Sequence, residues 1–207
     1  MGRGGNKSSN RWLQEHANDI YVKQAAADGY RSRAVYKLIE LDEKDKLIKP
    51  GSTILELGAA PGGWTQFLSR KAGTSARIVA SDILPMDSLP GVSFIQGDFT
   101  EQVTANQIAA AMKNNKADLV LSDMAPNLSG VGVSDQARAM GLVELALESA
   151  SDFLAVNGAF AVKVFQGEGF DPFMKQVRSR FRLVKVRKPA ASRPRSREVY
   201  VVARNLI

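Results

Sequence analysis

Residues 52–66 read STILELGAAPGGWTQ, and this stretch decides the fold class. STILEL (52–57) is short, mostly apolar and β-branched in part, as suits a strand covered on both faces. Gly58, Gly62 and Gly63 then surround Ala59-Ala60-Pro61, a turn in which a ligand can approach the backbone closely. A helix-like segment, 63–72, follows. Strand, glycine turn and helix in that order open an α/β unit. The spacing is not G-x-G-x-x-G, because Ala60 stands at the second glycine's place, which argues against a pyrophosphate-binding dinucleotide site.

Further strand patterns follow at ARIVASD (76–82), VSFIQGD (92–98), ADLVLSD (117–123), GAFAVKV (158–164), FRLVKVR (181–187) and EVYVVAR (198–204). Helix patterns fall between them at 101–114, 135–156 and 170–180. In the longest of these, Leu142, Leu145, Ala146, Ser149, Phe153 and Leu154 are expected to share the packed face. Only KPAASRPRSR (188–197) separates the last two strands, too short for a crossover helix and suited to an antiparallel hairpin. The expectation is an α/β sheet of seven strands, mostly parallel, with one antiparallel strand and helices on both faces.

Ligands of such sheets bind beyond the carboxyl ends of the parallel strands. Asp123 and Lys163 lie at those ends, and an antiparallel last strand starts at the same edge with Glu198. Lys37 sits on an amphipathic stretch before the first strand. Lysine and glutamate are seldom buried without partners, so these four residues suggest a paired network, either catalytic or purely structural. Asp82 and Asp98 end the second and third strand patterns, where carboxylates can accept from ribose hydroxyls and an adenine amino group. Each alone could equally cap a helix or form a turn. Together with Asp123 they would repel a polyphosphate and favour a cationic nucleoside such as S-adenosylmethionine (SAM).

A chain of 207 residues fits one domain, here 31–207, preceded by a basic, partly flexible arm over 1–30. There is no cysteine, and the single histidine, His16, lies in a polar stretch, so thiolate, zinc and Ser-His-Asp chemistry are disfavoured and no metal is expected. No apolar run approaches the roughly 18 residues of a membrane span, and MGRGGNKSSN (1–10) lacks a secretory apolar core, so a cytoplasmic protein is expected. The net charge of +7 is uneven. Residues 1–38 hold seven Lys/Arg against three Asp/Glu, residues 174–207 eleven against one, and the middle is acidic. Basic ends around an acidic centre fit a polyanion footprint beside a small-molecule site better than a merely soluble surface.

GYRSRAVYKLIELDEK (29–44), LELGAAPGGWTQ (55–66), LVLSDMAPNLSG (119–130), GAFAVKVFQGEG (158–169) and RPRSREVYVVAR (193–204), in that order, resemble the FtsJ/RrmJ family of SAM-dependent RNA 2′-O-ribose methyltransferases over nearly the whole chain. The resemblance implies the Rossmann-like class I methyltransferase sheet, with its last-formed strand inserted antiparallel. It maps a Lys-Asp-Lys-Glu tetrad onto Lys37, Asp123, Lys163 and Glu198, and SAM contacts onto Gly62, Trp64, Asp82, Asp98 and Asp123, with Gly58 and Gly63 of the glycine turn joining the expected cofactor-binding set. It implies a uridine of 23S ribosomal RNA as substrate, within the 50S subunit late in its maturation, and a monomer is the default.

In the chemistry so expected, Lys163 accepts the proton of a ribose 2′-hydroxyl as that oxygen displaces the methyl from the sulfonium. A lysine in water is protonated near neutrality, so a second cation must favour proton loss. A unit charge at 4 Å supplies about 4 kcal/mol at an effective dielectric near 20. Lys37 is given that role, Asp123 orients Lys163, and Glu198 positions the lysines. Arg3, Lys7, Arg11, Arg31, Arg33, Arg193, Arg195 and Arg197 are expected to meet RNA phosphates, with Tyr200 and Trp12 as candidate base-stacking residues and packing an equal reading for Trp12.

The absence of cysteine excludes a thiolate-dependent base C5 methyltransferase, and Asp123-Met124-Ala125-Pro126 lacks the Pro-Pro-aromatic of amino-N enzymes. A cap ribose methyltransferase shares the tetrad logic, though the compact chain resembles the ribosomal branch more. A non-catalytic, SAM-responsive RNA-binding or ribosome-assembly factor would explain the charge but leave the tetrad and turn unused.

Overall fold

The computed structural model describes residues 19–113, 115–126 and 130–207. Its strands are β1 (Thr53–Leu57), β2 (Arg77–Asp82), β3 (Val92–Gln96), β4 (Ala117–Ser122), β5 (Leu154–Phe165), β6 (Phe181–Arg187) and β7 (Glu198–Leu206). All seven lie where the apolar runs predict them. They form one sheet in the order β3-β2-β1-β4-β5-β7-β6. The first five pair in parallel, while β7 is antiparallel to both β5 and β6. The ten-residue connection over 188–197 thus returns β7 into the sheet between its two neighbours.

The helices are α1 (Ile20–Ala27), α2 (Val35–Asp45), α3 (Gly63–Ala72), α4 (Gln102–Ala111), α5 (Gly132–Phe153) and α6 (Phe170–Arg180). They cover both faces, because side chains of successive strand residues point to opposite sides. Leu55 and Leu57 of β1, Val162 and Val164 of β5, and Val199 and Val201 of β7 face α4, α5 and α6. Ile54, Ala161, Tyr200 and Val202 face α2 and α3, where Leu38, Leu41, Trp64 and Leu68 meet them. A third small cluster joins Ala25 of α1 to Val35, Tyr36 and Ala191.

Helix α5 corrects two expectations. It ends at Phe153, and Leu154 already pairs with Ala117 as the first residue of β5. The buried stripe is Ala139, Met140, Val143, Ala146, Leu147 and Ala150. Leu145 instead keeps 39% of its surface exposed. The true stripe is built from small and medium residues, which let the helix lie close on the sheet, and the larger leucines drew the expected face to one side.

Alternation has a direct consequence for the site. Lys163 registers with Tyr200 across β5 and β7, and Phe165 with Glu198. Lys163, Tyr200 and Glu198, two residues apart along their strands, therefore share the α2 face at the carboxyl edge of the parallel strands. On the opposite face, the fully buried rings of Phe160 and Phe181 stack with centroids 6.0 Å apart. Phe160→Ala should lower unfolding free energy by about 3–5 kcal/mol in urea titrations, with a matching fall in Tm. A loss under 1 kcal/mol would show that this aromatic pair does not anchor the second half of the sheet.

Candidate active site

The tetrad assembles as two linked ion pairs. Lys163 Nζ lies 3.1 Å from Asp123 Oδ1 and donates to the Asp123 backbone oxygen at 2.6 Å. Lys37 Nζ lies 2.6 Å from Glu198 Oε1. Tyr200 joins the pairs: its hydroxyl donates to Asp123 Oδ1 at 2.5 Å, and Lys37 Nζ sits 5.9 Å from the centre of its ring. Lys37, Lys163 and Glu198 each keep less than a tenth of their surface. Each is tolerated there because a partner is in place.

Lys37 reaches this edge because α2 lays Ala34, Lys37, Leu38 and Leu41 along one face, the three- and four-residue spacing of a helix packed on a sheet. Ser192, buried in the connection before β7, donates to Glu198 Oε1 at 2.7 Å. Burial pushes the Asp123 carboxyl up, but the charges of Lys163 and Lys37 and the Tyr200 hydrogen bond outweigh it and hold it below the ordinary aspartate value. Glu198 is held low in the same way, burial opposing and Lys37 dominating the attraction. Burial, with the charges of Asp123 and Glu198, pushes the Tyr200 phenol well up and keeps it a donor.

The loops after β1 and β2 lie at the same carboxyl edge of the sheet as the tetrad. Asp82 ties them together, its Oδ2 accepting from Ala60 N at 2.8 Å and its Oδ1 from Leu84 N at 2.9 Å. Asp98 is exposed and accepts from both the backbone N and the hydroxyl of Thr100, so its turn-forming reading is realised. Gly58 N donates to Ser81 O, and buried Trp64 donates its indole N–H to Ala34 O at 2.7 Å. A SAM-like donor fits this donor set: carboxylates that only accept face hydroxyl and amino donors, and carry the charge that a sulfonium attracts. Among the described residues, no group of three or more His, Asp or Glu could hold a metal, and no helix is long and apolar enough to cross a membrane.

The sequence model of the FtsJ-like methyltransferases matches residues 30–206. The chain belongs to this family. It is 59% identical over 198 residues to the ribosomal RNA large subunit methyltransferase E of Marinobacter nauticus, covering 96% of each protein. To the protein of that name from Cellvibrio japonicus it is 57% identical over 201 residues, covering 97% of this chain and 95% of the other. A solved Plasmodium falciparum structure, described as that of a ribosomal RNA methyltransferase, superposes with a TM-score of 0.76 at 30% identity, covering 86% of this chain and 98% of the other. The sheet of this FtsJ-like methyltransferase, with its one inserted antiparallel strand, is that of the Rossmann-like methyltransferase fold.

The expected RNA-facing residues divide. Arg33, Arg193, Arg195 and Ser196 line an open cavity of about 420 Å³ whose floor is Lys37 and Glu198. Arg33 is also tied inward, donating to Ala191 O at 2.6 Å and pairing with Asp19 at 3.0 Å. Arg31 donates to three backbone carbonyls, Pro61 O after β1 and Asp87 O and Ser88 O after β2. Arg197 approaches Gly167, beside the tetrad rim. Tyr200 is a correction: it is fully buried and its hydroxyl serves Asp123, so no ring face is open for a base. Arg3, Lys7, Arg11, Trp12 and His16 lie outside the described residues.

Sequence reasoning missed Ser192, Glu56 and the true role of Tyr200. Glu56 is 1% exposed beneath the glycine turn and accepts from Thr65 Oγ1 at 2.7 Å. Its place at the end of β1, one residue before Gly58-preceding Leu57, was the available signal. Burial pushes its carboxyl up to about 8; the Thr65 hydrogen bond opposes this, and the charges of Asp123 and Asp82 add to it. Folded protein therefore keeps a proton there that the unfolded chain loses once the pH passes about 4.5, and native stability drains away as pH rises toward 8. The loss is on the order of 5 kcal/mol at most. Asp123 and Glu198, held low, act oppositely and lose their contribution in acid. Glu56→Gln should become progressively more stable than the parent between pH 4.5 and 8 in urea titrations. A difference that does not change with pH would rule out a protonated Glu56.

Proposed function

We propose that this FtsJ-like methyltransferase transfers a methyl group from SAM to the 2′-hydroxyl of a uridine in 23S ribosomal RNA, acting on the 50S subunit late in its maturation. The contact that carries the reading is Lys163 on Asp123 at the sheet edge, with the Lys37–Glu198 pair alongside. The two relatives named ribosomal RNA large subunit methyltransferase E support the substrate class.

When bound, SAM supplies a methyl group already activated by its sulfonium. Lys163 Nζ, as the neutral amine, takes the proton of the 2′-hydroxyl. Asp123 holds that amine through both its carboxylate and its backbone oxygen. Lys37 adds a second ammonium to the site and offers a donor to the hydroxyl oxygen. Glu198, held by Ser192, fixes Lys37 and keeps the net charge of the buried group tolerable. Tyr200 gives Asp123 Oδ1 a second donor beside Lys163. The arginine-lined cavity over Lys37 and Glu198 suits the phosphates flanking one ribose, and a ribose target needs no base-reading pocket.

Lys163→Ala should reduce methyl transfer by about 10²–10⁴-fold while SAM binding, read by calorimetry, stays near that of the parent. Near-normal turnover in this variant refutes the proton-acceptor role. Labelled SAM should be offered both to free ribosomal RNA and to 50S subunits from cells lacking the protein, and the labelled ribose mapped. SAM binding without label in either RNA would instead favour a non-catalytic assembly factor. Binding to RNA should weaken steeply with salt, and Arg193→Ala or Arg195→Ala should each lower the log–log salt slope by about 1. An unchanged slope removes the corresponding residue from the phosphate path.

A further inference from the structure

The geometry points to Arg31 as a positioning residue of the cofactor cleft, a clasp that sets the spacing between its two walls, and not as a contact to RNA. This inference rests on the proposed SAM-dependent reaction and assigns the residue to the donor's side of it.

Arg31 Nη1 donates to Pro61 O at 3.3 Å, in the turn after β1, and to Asp87 O at 2.8 Å. Its Nη2 donates to Ser88 O at 3.3 Å, so Asp87 and Ser88 together present the loop after β2. One planar guanidinium thus bridges two loops that Asp82, five residues earlier, also joins. The clasp is itself anchored. Arg31 N donates to Gln66 Oε1 at 2.7 Å, and Gln66 Nε2 returns a bond to Gly29 O at 3.0 Å, so residues 29–31 are stitched to the first turns of α3.

The glycine turn is shaped to receive the clasp. Gly62 has φ +103°, and a Cβ there would stand 2.7 Å from Arg31 Nη1 and 2.8 Å from Met86 Sδ. A Cβ on Gly63 would stand 2.4 Å from Ser32 Oγ. The left-handed backbone at Gly62 calls for glycine in any case, and at both positions a Cβ would press on the segment lying over the turn, independently of any ligand. The wall that Arg31 holds also carries Ile83 and Leu84, 63% and 58% exposed, an apolar surface for the flat ring of an adenosine. Three of the five guanidinium N–H donors go to carbonyls, which commits both Nη atoms of Arg31 to the clasp, and loss of the clasp frees the 83–88 loop from the turn.

S-Adenosylhomocysteine binding to the full chain, measured by calorimetry, tests this together with RNA binding over a salt series. Arg31→Ala should weaken S-adenosylhomocysteine at least 10-fold and raise KM for SAM, with kcat at saturating SAM within about twofold, and with RNA affinity and salt slope unchanged. Arg31→Lys, which keeps the charge but not the fork, should fall between the two, and it decides the matter if the alanine variant does not fold. Parent-like S-adenosylhomocysteine affinity in a folded variant overturns the inference, as does a salt slope lower by about 1. Failure of the parent chain to bind S-adenosylhomocysteine would instead overturn the proposed reaction.

Discussion

Burying an ammonium group demands acceptors in place before the fold can close, and that demand organises one edge of this sheet. Lys163 and Lys37 each answer it with a carboxylate from another element: Asp123 past the end of β4, Glu198 at the start of β7. Asp123 reaches Lys163 through the parallel pairing of β4 with β5, whereas Glu198 would not reach Lys37 without the insertion of β7 antiparallel beside β5, which turns its first residue toward the carboxyl ends of its parallel neighbours. The topology and the charge pairing are therefore one constraint. A parallel β7 would carry Glu198 to the opposite edge and leave Lys37 unpaired in an apolar layer.

The same edge separates groups of opposite protonation within one small volume. Asp123 and Glu198 are held ionised by lysines, whereas Glu56, without a cation of its own, is held neutral by burial. Placing the neutral acid under the glycine turn avoids a third negative charge beside Asp82 and Asp123, whose charges both push its carboxyl up.

Strand positions were legible from sequence because the inner parallel strands β1, β2, β4 and β5 are largely buried on both faces and read as continuous apolar runs. The tetrad was legible because charged residues at the ends of such runs are conspicuous. The packed face of α5 was not, since small residues such as Ala139, Ala146 and Ala150 mark the close approach while Leu142 and Leu145 look more like core. The roles of Ser192 and Tyr200 and the contacts of Arg31 were not legible, for another reason. Their partners are brought by the fold: Tyr200 meets Asp123 from 77 residues away, and Arg31 meets Gln66 from 35. A basic residue in a basic stretch looks like a phosphate contact until the carbonyls around it are known.

The connection between β6 and β7 is secured at several points. Glu40 of α2 accepts from the backbone N–H groups of Ala190 and Ala191 at 2.7 and 2.8 Å, and Lys188 Nζ donates to the carbonyls of Ser196 and Glu198 at 2.6 Å each. A loop on the protein's exterior is ordinarily where a polypeptide tolerates new termini or an inserted module. Here such surgery would cut the link between the helix bearing one lysine and the strand bearing its glutamate. For anyone circularly permuting this scaffold or grafting a binding module onto it, the 188–197 segment is a place to leave whole.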